Sequence, residues 1–125
     1  MASQSKARRI AAWVLTSLLS LLLVFSAVMK FLRPPEVMAA VEKWNLKDEL
    51  ILIGVTELVS AILFFIPRTH SIGVLLLSAY MGGAIVTHMQ NDEPYIVQVI
   101  FLGVIWIVSY LRHPELLQSL RTKES

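Results

Sequence analysis

Cysteine is absent from the 125 residues. Its absence excludes a disulfide framework, thiolate metal ligands, thiol redox chemistry and cysteine catalysis within this chain. Charge is scarce too. Asp, Glu, Lys and Arg make up 16% of the residues, against about 25% in a typical soluble domain. No Walker loop, no Rossmann glycine pattern and no Ser/His/Asp arrangement is present, and Gly82-Gly83 lies inside an apolar stretch, unlike a phosphate loop. The reading therefore leans away from an enzyme. Disorder is excluded by the opposite imbalance. It needs low hydrophobicity and high charge, whereas 56% of these residues are hydrophobic and the mean hydropathy is +0.67. A single domain this small has too much surface to hide so much apolar area from water. The composition thus points to a bilayer. The net charge of +2 does not imply nucleic acid, because the basic residues sit at the ends of apolar segments.

Four such segments organise the chain. The first holds twenty uncharged residues, Ile10 to Met29, between Lys6, Arg8 and Arg9 and the pair Lys30 and Arg33. About 20 helical residues cross a hydrocarbon core of roughly 30 Å. The run exceeds the roughly 7–15 residues of a signal-peptide core, and Ser26-Ala27-Val28 is a poor cleavage site, so it reads as a retained helix. Arg33-Pro34-Pro35 then breaks the helix. Val37, Val41 and Trp44 recur on one helical face amid dense charge, which predicts a short amphipathic helix over Pro35–Asn45 at the membrane surface, with Trp44 in the headgroup zone. The remaining segments stop at Pro67, at Asn91-Asp92-Glu93-Pro94 and at Arg112-His113-Pro114. Pro94 is expected in the first turn of the last helix.

The predicted fold is all-α: a four-transmembrane-helix bundle with a short amphipathic interfacial helix between the first and second spans. The spans cover about 10–32, 50–66, 71–89 and 94–111, with a frayed polar tail over 112–125. Lys6, Arg8, Arg9, Arg68, Arg112, Arg121 and Lys123 fall on one side, and Lys30, Arg33, Lys43 and Lys47 on the other. The excess of basic residues predicts that both termini are cytoplasmic.

Of 11 basic and 9 acidic side chains, only Glu57 falls deep inside a span. A carboxylate there costs ~2.5–3.5 kcal/mol on insertion scales. It should face the helix interior and pair with a cation or take up a proton. Gly54, Ser60 and Ala61 share its face and are small enough for close helix contact. Lys30 is the available cation, or else an interfacial anchor. Glu57 lies about seven residues, ~11 Å, below the outer end of its helix, which sets the two at different depths.

The third segment presents Tyr80, Gly83, Ala84, Thr87 and His88 on one face, with Tyr80 at about the depth of Glu57 and within reach of a hydrogen bond to it. Ser78 with Gly82, and Ala79 with Gly83, form two small-xxx-small pairs suited to helix packing. Gln98, near the outer end of the fourth segment, joins the same group. Lys30, Glu57, Tyr80, Thr87, His88 and Gln98 make up the candidate polar pocket. Zinc usually takes three or four protein ligands, and His70 and His113 belong to the end opposite His88, so no metal site is expected.

These residues resemble the DoxX-like family of small four-helix membrane proteins. The resemblance covers roughly residues 10–112. It rests on Lys30 closing the first helix, Pro34-Pro35-Glu36, Gly54-Val55-Thr56-Glu57-Leu58, Ile66-Pro67-Arg68, and Ala79-Tyr80-Met81-Gly82-Gly83-Ala84 followed by Thr87-His88. The family pattern has Gly where Ala79 stands here. The resemblance implies an integral protein of a bacterial inner membrane. Some relatives are associated with thiosulfate:quinone oxidoreduction or membrane oxidoreductase complexes, and others resemble assembly chaperones for membrane receptors. The leading expectation is an accessory subunit that binds a membrane protein partner or a second copy. The alternatives are a quinone or small-molecule binding subunit and a small proton-coupled transporter using Glu57. No cofactor is evident from the residues; quinone is the one the resemblance brings.

Overall fold

The computed structural model describes residues 5–120, and no strand occurs among them. Five helices follow one another: α1 (Lys6–Leu32), α2 (Pro35–Lys43), α3 (Leu50–Phe65), α4 (His70–Gln90) and α5 (Ile96–Arg112). Short 3₁₀ turns precede α3 and α4, and another covers Pro114–Leu120. Two stretches, Lys6–Leu32 and Pro67–Gln90, are long and apolar enough to cross a membrane by length and composition, and Ile96–Arg112 is a shorter apolar helix.

Local chemistry sets the boundaries. The Ser5 side chain accepts a hydrogen bond from the Arg8 amide at 3.1 Å, an N-cap that starts α1 four residues before the expected Ile10. At the other end Arg33 adopts left-handed backbone (φ 57°) and its amide closes on the Met29 carbonyl. Pro35 sits at the start of α2, where its missing N–H costs nothing. The expected continuation of α2 to Asn45 is corrected: the helix ends at Lys43, because Asn45 takes φ 62°. Pro94 is not in the first turn of α5, since Tyr95 caps the helix and Ile96 begins it. Asp92 at φ 57° and the Glu93 amide bonding back to the His88 carbonyl (2.9 Å) complete the turn before that proline. The tail is also corrected in part. Residues 114–120 coil as 3₁₀ turns broken at Leu117, with Leu116 packed on the core, while 121–125, including Arg121 and Lys123, lie outside the described residues.

The four longer helices pack in a ring: α1 touches α3 and α5, and α4 touches the same two. Leu19, Leu23, Ala61, Phe64, Val74, Leu77, Met81, Ile105 and Val108 form the buried centre. Larger apolar side chains point outward in greater number, among them Leu21, Phe25, Leu32, Leu52, Leu75, Val97 and Ile107, each at least 62% exposed. A water-soluble surface rarely tolerates so large an apolar expanse.

Two glycines mark where helices touch. A Cβ on Gly54 would stand 2.8 Å from the Phe31 ring and 3.4 Å from Lys30 Cβ, so α1 and α3 meet closely there. A Cβ on Gly73 would meet the backbone nitrogen of Phe64 at 2.2 Å. Ser60 and Ala61 are buried on the Gly54 face of α3. The small-residue face of α4 could serve within the bundle or between protomers, and within the chain it faces open space. Ala79 and Gly83 are exposed, and a Cβ on either Gly82 or Gly83 would meet nothing within 4 Å. These small residues do not bring helices together within the chain. Ser78 does contact α5, accepting a hydrogen bond from Trp106 Nε1 at 2.9 Å.

Candidate functional site

The end of the helix ring where α1 finishes and α3 begins is called the upper end below. There, Lys30 Nζ donates to Glu57 Oε1 at 2.8 Å and to Ser26 Oγ at 2.8 Å. Ser26 in turn donates to the same carboxylate oxygen at 3.2 Å. Ser26 and Lys30 are one helical turn apart on α1, so they face Glu57 together. Glu57 is 2% exposed, and the Lys30 side chain 17%.

The expected mismatch in depth between Lys30 and Glu57 does not arise. Gly54 brings Lys30 Cβ against α3 one turn before Glu57, so the two helices are staggered. The first turn of α3 projects above the end of α1, and Val41 of α2 is buried at the cavity. Counting residues from the helix ends assumed that the ends were level.

Above and beside this pair opens a cavity of about 370 Å³. Lys30, Glu57, Tyr80, Thr87, His88 and Gln98 all line it, so four helices bring their polar groups to one space. Leu22, Leu23, Leu50, Ile53, Met81 and Phe101 supply apolar wall. Gly83 and Ala84 leave the α4 wall smooth, and the open space around Gly83 belongs to this cavity. Tyr80 neighbours Glu57 electrostatically. The same carboxylate accepts the hydrogen bonds of Lys30 and Ser26.

The polar groups towards the upper end are oriented by their own helix. Thr87 Oγ1 donates to the Gly83 carbonyl at 2.8 Å, and His88 Nδ1 donates to the Ala84 carbonyl at 2.8 Å. His88 therefore turns Nε2 towards Gln98 Nε2, a long 3.5 Å contact. Gln98 Oε1 is buried and meets no donor among the described residues. A buried acceptor without a partner costs about 1–3 kcal/mol, and a hydroxyl or amine entering the cavity would relieve that cost.

Three contributors carried little signal in the sequence. Ser26 was detectable only by its spacing of four from Lys30. Trp44 reads as an interfacial anchor, but its Nε1 donates to Glu93 Oε1 at 2.9 Å and its ring lies 5.2 Å from that of His88. Glu93 also receives Lys43 Nζ at 2.6 Å. These partners are about fifty residues apart, and only the fold joins them. Lys43 and Trp44 hold the Glu93 carboxyl below the usual carboxylate range, chiefly through the Lys43 hydrogen bond.

The lower end is built differently. Arg112 donates to the Phe64 carbonyl at 3.0 Å and to the Phe65 carbonyl at 3.1 Å, and its guanidinium stacks on Trp13 at 4.3 Å. It thereby satisfies the open carbonyls at the end of α3, as cations near helix C-termini do. His70 Nδ1 donates to the same Phe64 carbonyl at 2.7 Å. His70 and His113 stack at 4.8 Å, a full helix length along α4 from His88. Among the described residues no group of three or more His, Asp or Glu gathers for a metal.

The chain belongs to the DoxX-like family, whose sequence model matches residues 14–110. No curated protein matches it, and no solved structure does. Family membership and the two long apolar helices fit a membrane protein.

Proposed function

We propose that this DoxX-like membrane protein is a ligand-holding subunit. It takes a small apolar molecule with a hydrogen-bonding head group into the upper cavity and presents it within a membrane complex. The observation that carries this reading is the convergence of Lys30, Glu57, Tyr80, Thr87, His88 and Gln98 on one cavity. Its volume of about 370 Å³ lies within the range of small-molecule sites, and apolar walls with a few placed polar groups are their usual lining. In the membrane, α1, α3, α4 and α5 would span and α2 would lie at the interface. The membrane is taken to be a bacterial inner membrane with both termini cytoplasmic.

The head group that fits best both accepts and donates. Lys30 spends two of its three donor hydrogens on Ser26 and Glu57, which leaves one for a ligand oxygen. Gln98 Oε1 waits for a donor. A quinone-type ring with a hydroxylated form meets both demands, and its apolar tail would follow Leu22, Leu23 and Phe101. When bound, such a ring would supply electron-carrying chemistry. The chain's own residues would bind and orient it: Lys30 and Gln98 by hydrogen bonds, Met81 and Phe101 by packing.

The test is binding of a short-tailed benzoquinone to the protein in nanodiscs, read by quenching of tryptophan fluorescence. Saturable quenching is expected, weakened at least about tenfold by Ala84→Phe, which fills the cavity without adding a tryptophan. Unsaturable quenching that is equal in both proteins overturns the reading.

An accessory role towards a second membrane protein rests on a separate observation. Ala79 and Gly103 are small and exposed, and a Cβ on Gly103 or on the neighbouring Gly82 would meet nothing within 4 Å. Small residues on an open helix face suit close approach by another helix. The transporter reading draws the least support, because Phe64, Leu77 and Ile105 fill the layer beneath Glu57 with no exposure.

A further inference from the structure

The upper cavity is partly roofed by the segment that follows α1. Val41, Trp44 and Leu46 from that segment line it. Val41 is the one buried residue of α2, and the element most closely packed against α2 is the short turn Lys47–Glu49 that follows it. The α2 segment is therefore not built into the helix ring as its neighbours are.

Its boundaries are helix ends where the chain turns sharply. Among the described residues, three non-glycine positions have positive φ: Arg33 (57°), Asn45 (62°) and Asp92 (57°). Arg33 and Asn45 bracket residues 34–44 on either side. Asp92 immediately precedes Glu93 and turns the α4–α5 connection towards that segment. Each is the left-handed cap that ends a helix: Arg33 N bonds the Met29 carbonyl, Leu46 N the Val41 carbonyl across Asn45, and Glu93 N the His88 carbonyl across Asp92, so regular helix stops and the chain changes direction at these three points. Here all three belong to one device.

Polar fastening is just as concentrated. Among the described residues, Lys43 Nζ to Glu93 Oε2 (2.6 Å) and Trp44 Nε1 to Glu93 Oε1 (2.9 Å) are the side-chain hydrogen bonds from α2 and its cap to the helix ring and its connections. His88 Nε2 stands 3.8 Å from the same carboxylate, and the Trp44 and His88 rings meet at 5.2 Å. The other charged pair at this segment, Lys47 with Glu42 at 3.4 Å, stays within the segment and its following turn. Removing one carboxylate thus releases both side-chain ties to the α4–α5 connection, while the backbone bond from Leu46 N to Val41 O (2.9 Å) stays within the segment and its following turn.

We propose that residues 34–44 are a strap hinged at Arg33 and Asn45, and that Glu93 is the latch holding it across the mouth of the cavity. The proposal rests on the ligand-holding reading for its purpose, since a strap there governs when the cavity can be entered. Lids of this kind turn on a few element-terminal residues that absorb the backbone change, and they are drawn from the least stable parts of a fold. Val41 and Trp44 would swing out together, because both precede the Asn45 hinge. His88 and Gln98 would then face the opening.

The cysteine-free chain makes the experiment clean. Ile53→Cys places a single thiol in the cavity wall, and its alkylation by a water-soluble maleimide is followed in nanodiscs. Adding Glu93→Ala is expected to raise the labelling rate about tenfold, the shift that a modest change in the open population produces. Trp44→Phe, which removes one N–H while keeping a ring, should raise it by less. Each variant's thermal midpoint is recorded, so that faster labelling counts only in a folded protein. Equal rates with and without Glu93 overturn the latch. The ligand reading is judged separately, by whether a short-tailed benzoquinone protects Ile53→Cys. Acceleration without protection keeps the strap and removes the ligand. Protection with equal rates does the reverse.

Discussion

Lys30 and Glu57 illustrate how far single residues were legible. The sequence marked Glu57 as the lone deep charge and Lys30 as its nearest cation, yet it set them at different depths. The missing information was the stagger between α1 and α3, fixed by Phe31 against Gly54. Energetically, a buried pair is strong evidence of mutual dependence and weak evidence of net stability. Breaking one by removing a partner costs about 3–5 kcal/mol, whereas replacing both with apolar residues is often neutral. Lys30→Met and Glu57→Leu should therefore each destabilise the detergent-solubilised protein by roughly that amount. The double variant should return close to the parent, as read from denaturant midpoints in a double-mutant cycle. Additive losses would show that the two groups act independently and that the 2.8 Å contact contributes nothing of its own.

At the scale of helices, pattern and packing part company. Small residues gathered on one helical face look alike in α3 and α4, but one set is pressed against a neighbour and the other edges an open space. Periodicity reports which residues share a face, and it says nothing of what stands opposite. Gly54 has a facing helix within the chain, while Gly82 and Gly83, on an equally small-residue face, have none. The strongest close approach, Gly73, was not singled out, because a lone glycine near a helix start carries no spacing signal. Its Cβ would strike the Phe64 backbone at 2.2 Å, and a backbone atom cannot swing aside as a side chain can. Gly73→Ala should cost about 1–3 kcal/mol, the usual range for overpacking. Gly82→Ala meets no neighbour and should gain roughly 0.5–1 kcal/mol from helix propensity. Thermal midpoints of the two variants should move in opposite directions.

The strap adds a pH dependence at the same scale. Facing Glu93 are Lys43 and Trp44 from the strap and His88 from α4, with Asp92 adjacent on its own turn. The carboxyl is held below its usual range, first by the Lys43 hydrogen bond and then by Trp44. A group with a depressed pKa lends stability that is present above its free value and lost as pH falls through the lower one. A free Glu titrates near pH 4.3. Maleimide labelling fails in acid, so opening is read instead by Trp44 emission, with Trp13→Phe and Trp106→Phe removing the other two tryptophans. Emission should hold steady between pH 7 and about 5, then shift to the red in more acidic buffer. Glu93→Gln should abolish that acid step.

The whole molecule is apolar outside as well as in. Its interior admits Glu57, Ser60, Thr16, His70 and Ser109 among buried apolar residues, while leucine, valine and phenylalanine crowd the exterior. Composition foretold this through scarcity of charge, since there are too few polar residues to cover a water-facing surface. What composition cannot specify is direction. α3 has 16 residues and α5 has 17, about 24–26 Å of helix, so each needs its flanking turns to reach across a core of roughly 30 Å. The four-span reading therefore requires the connections at Lys47–Glu49 and Pro67–Thr69 to emerge on opposite faces. Single cysteines at Ala7, Asp48, Thr69 and Gln90, all in a chain without native thiols, test this directly. In spheroplasts, a membrane-impermeant maleimide should label Asp48→Cys and Gln90→Cys at once. Ala7→Cys and Thr69→Cys should label only after lysis. A complete reversal would keep four spans and invert the orientation, contrary to the excess of basic residues on the Ala7 side. Different accessibility of Ala7→Cys and Thr69→Cys would mean that α1 and α3 do not both cross, and the four-span reading would fall with it.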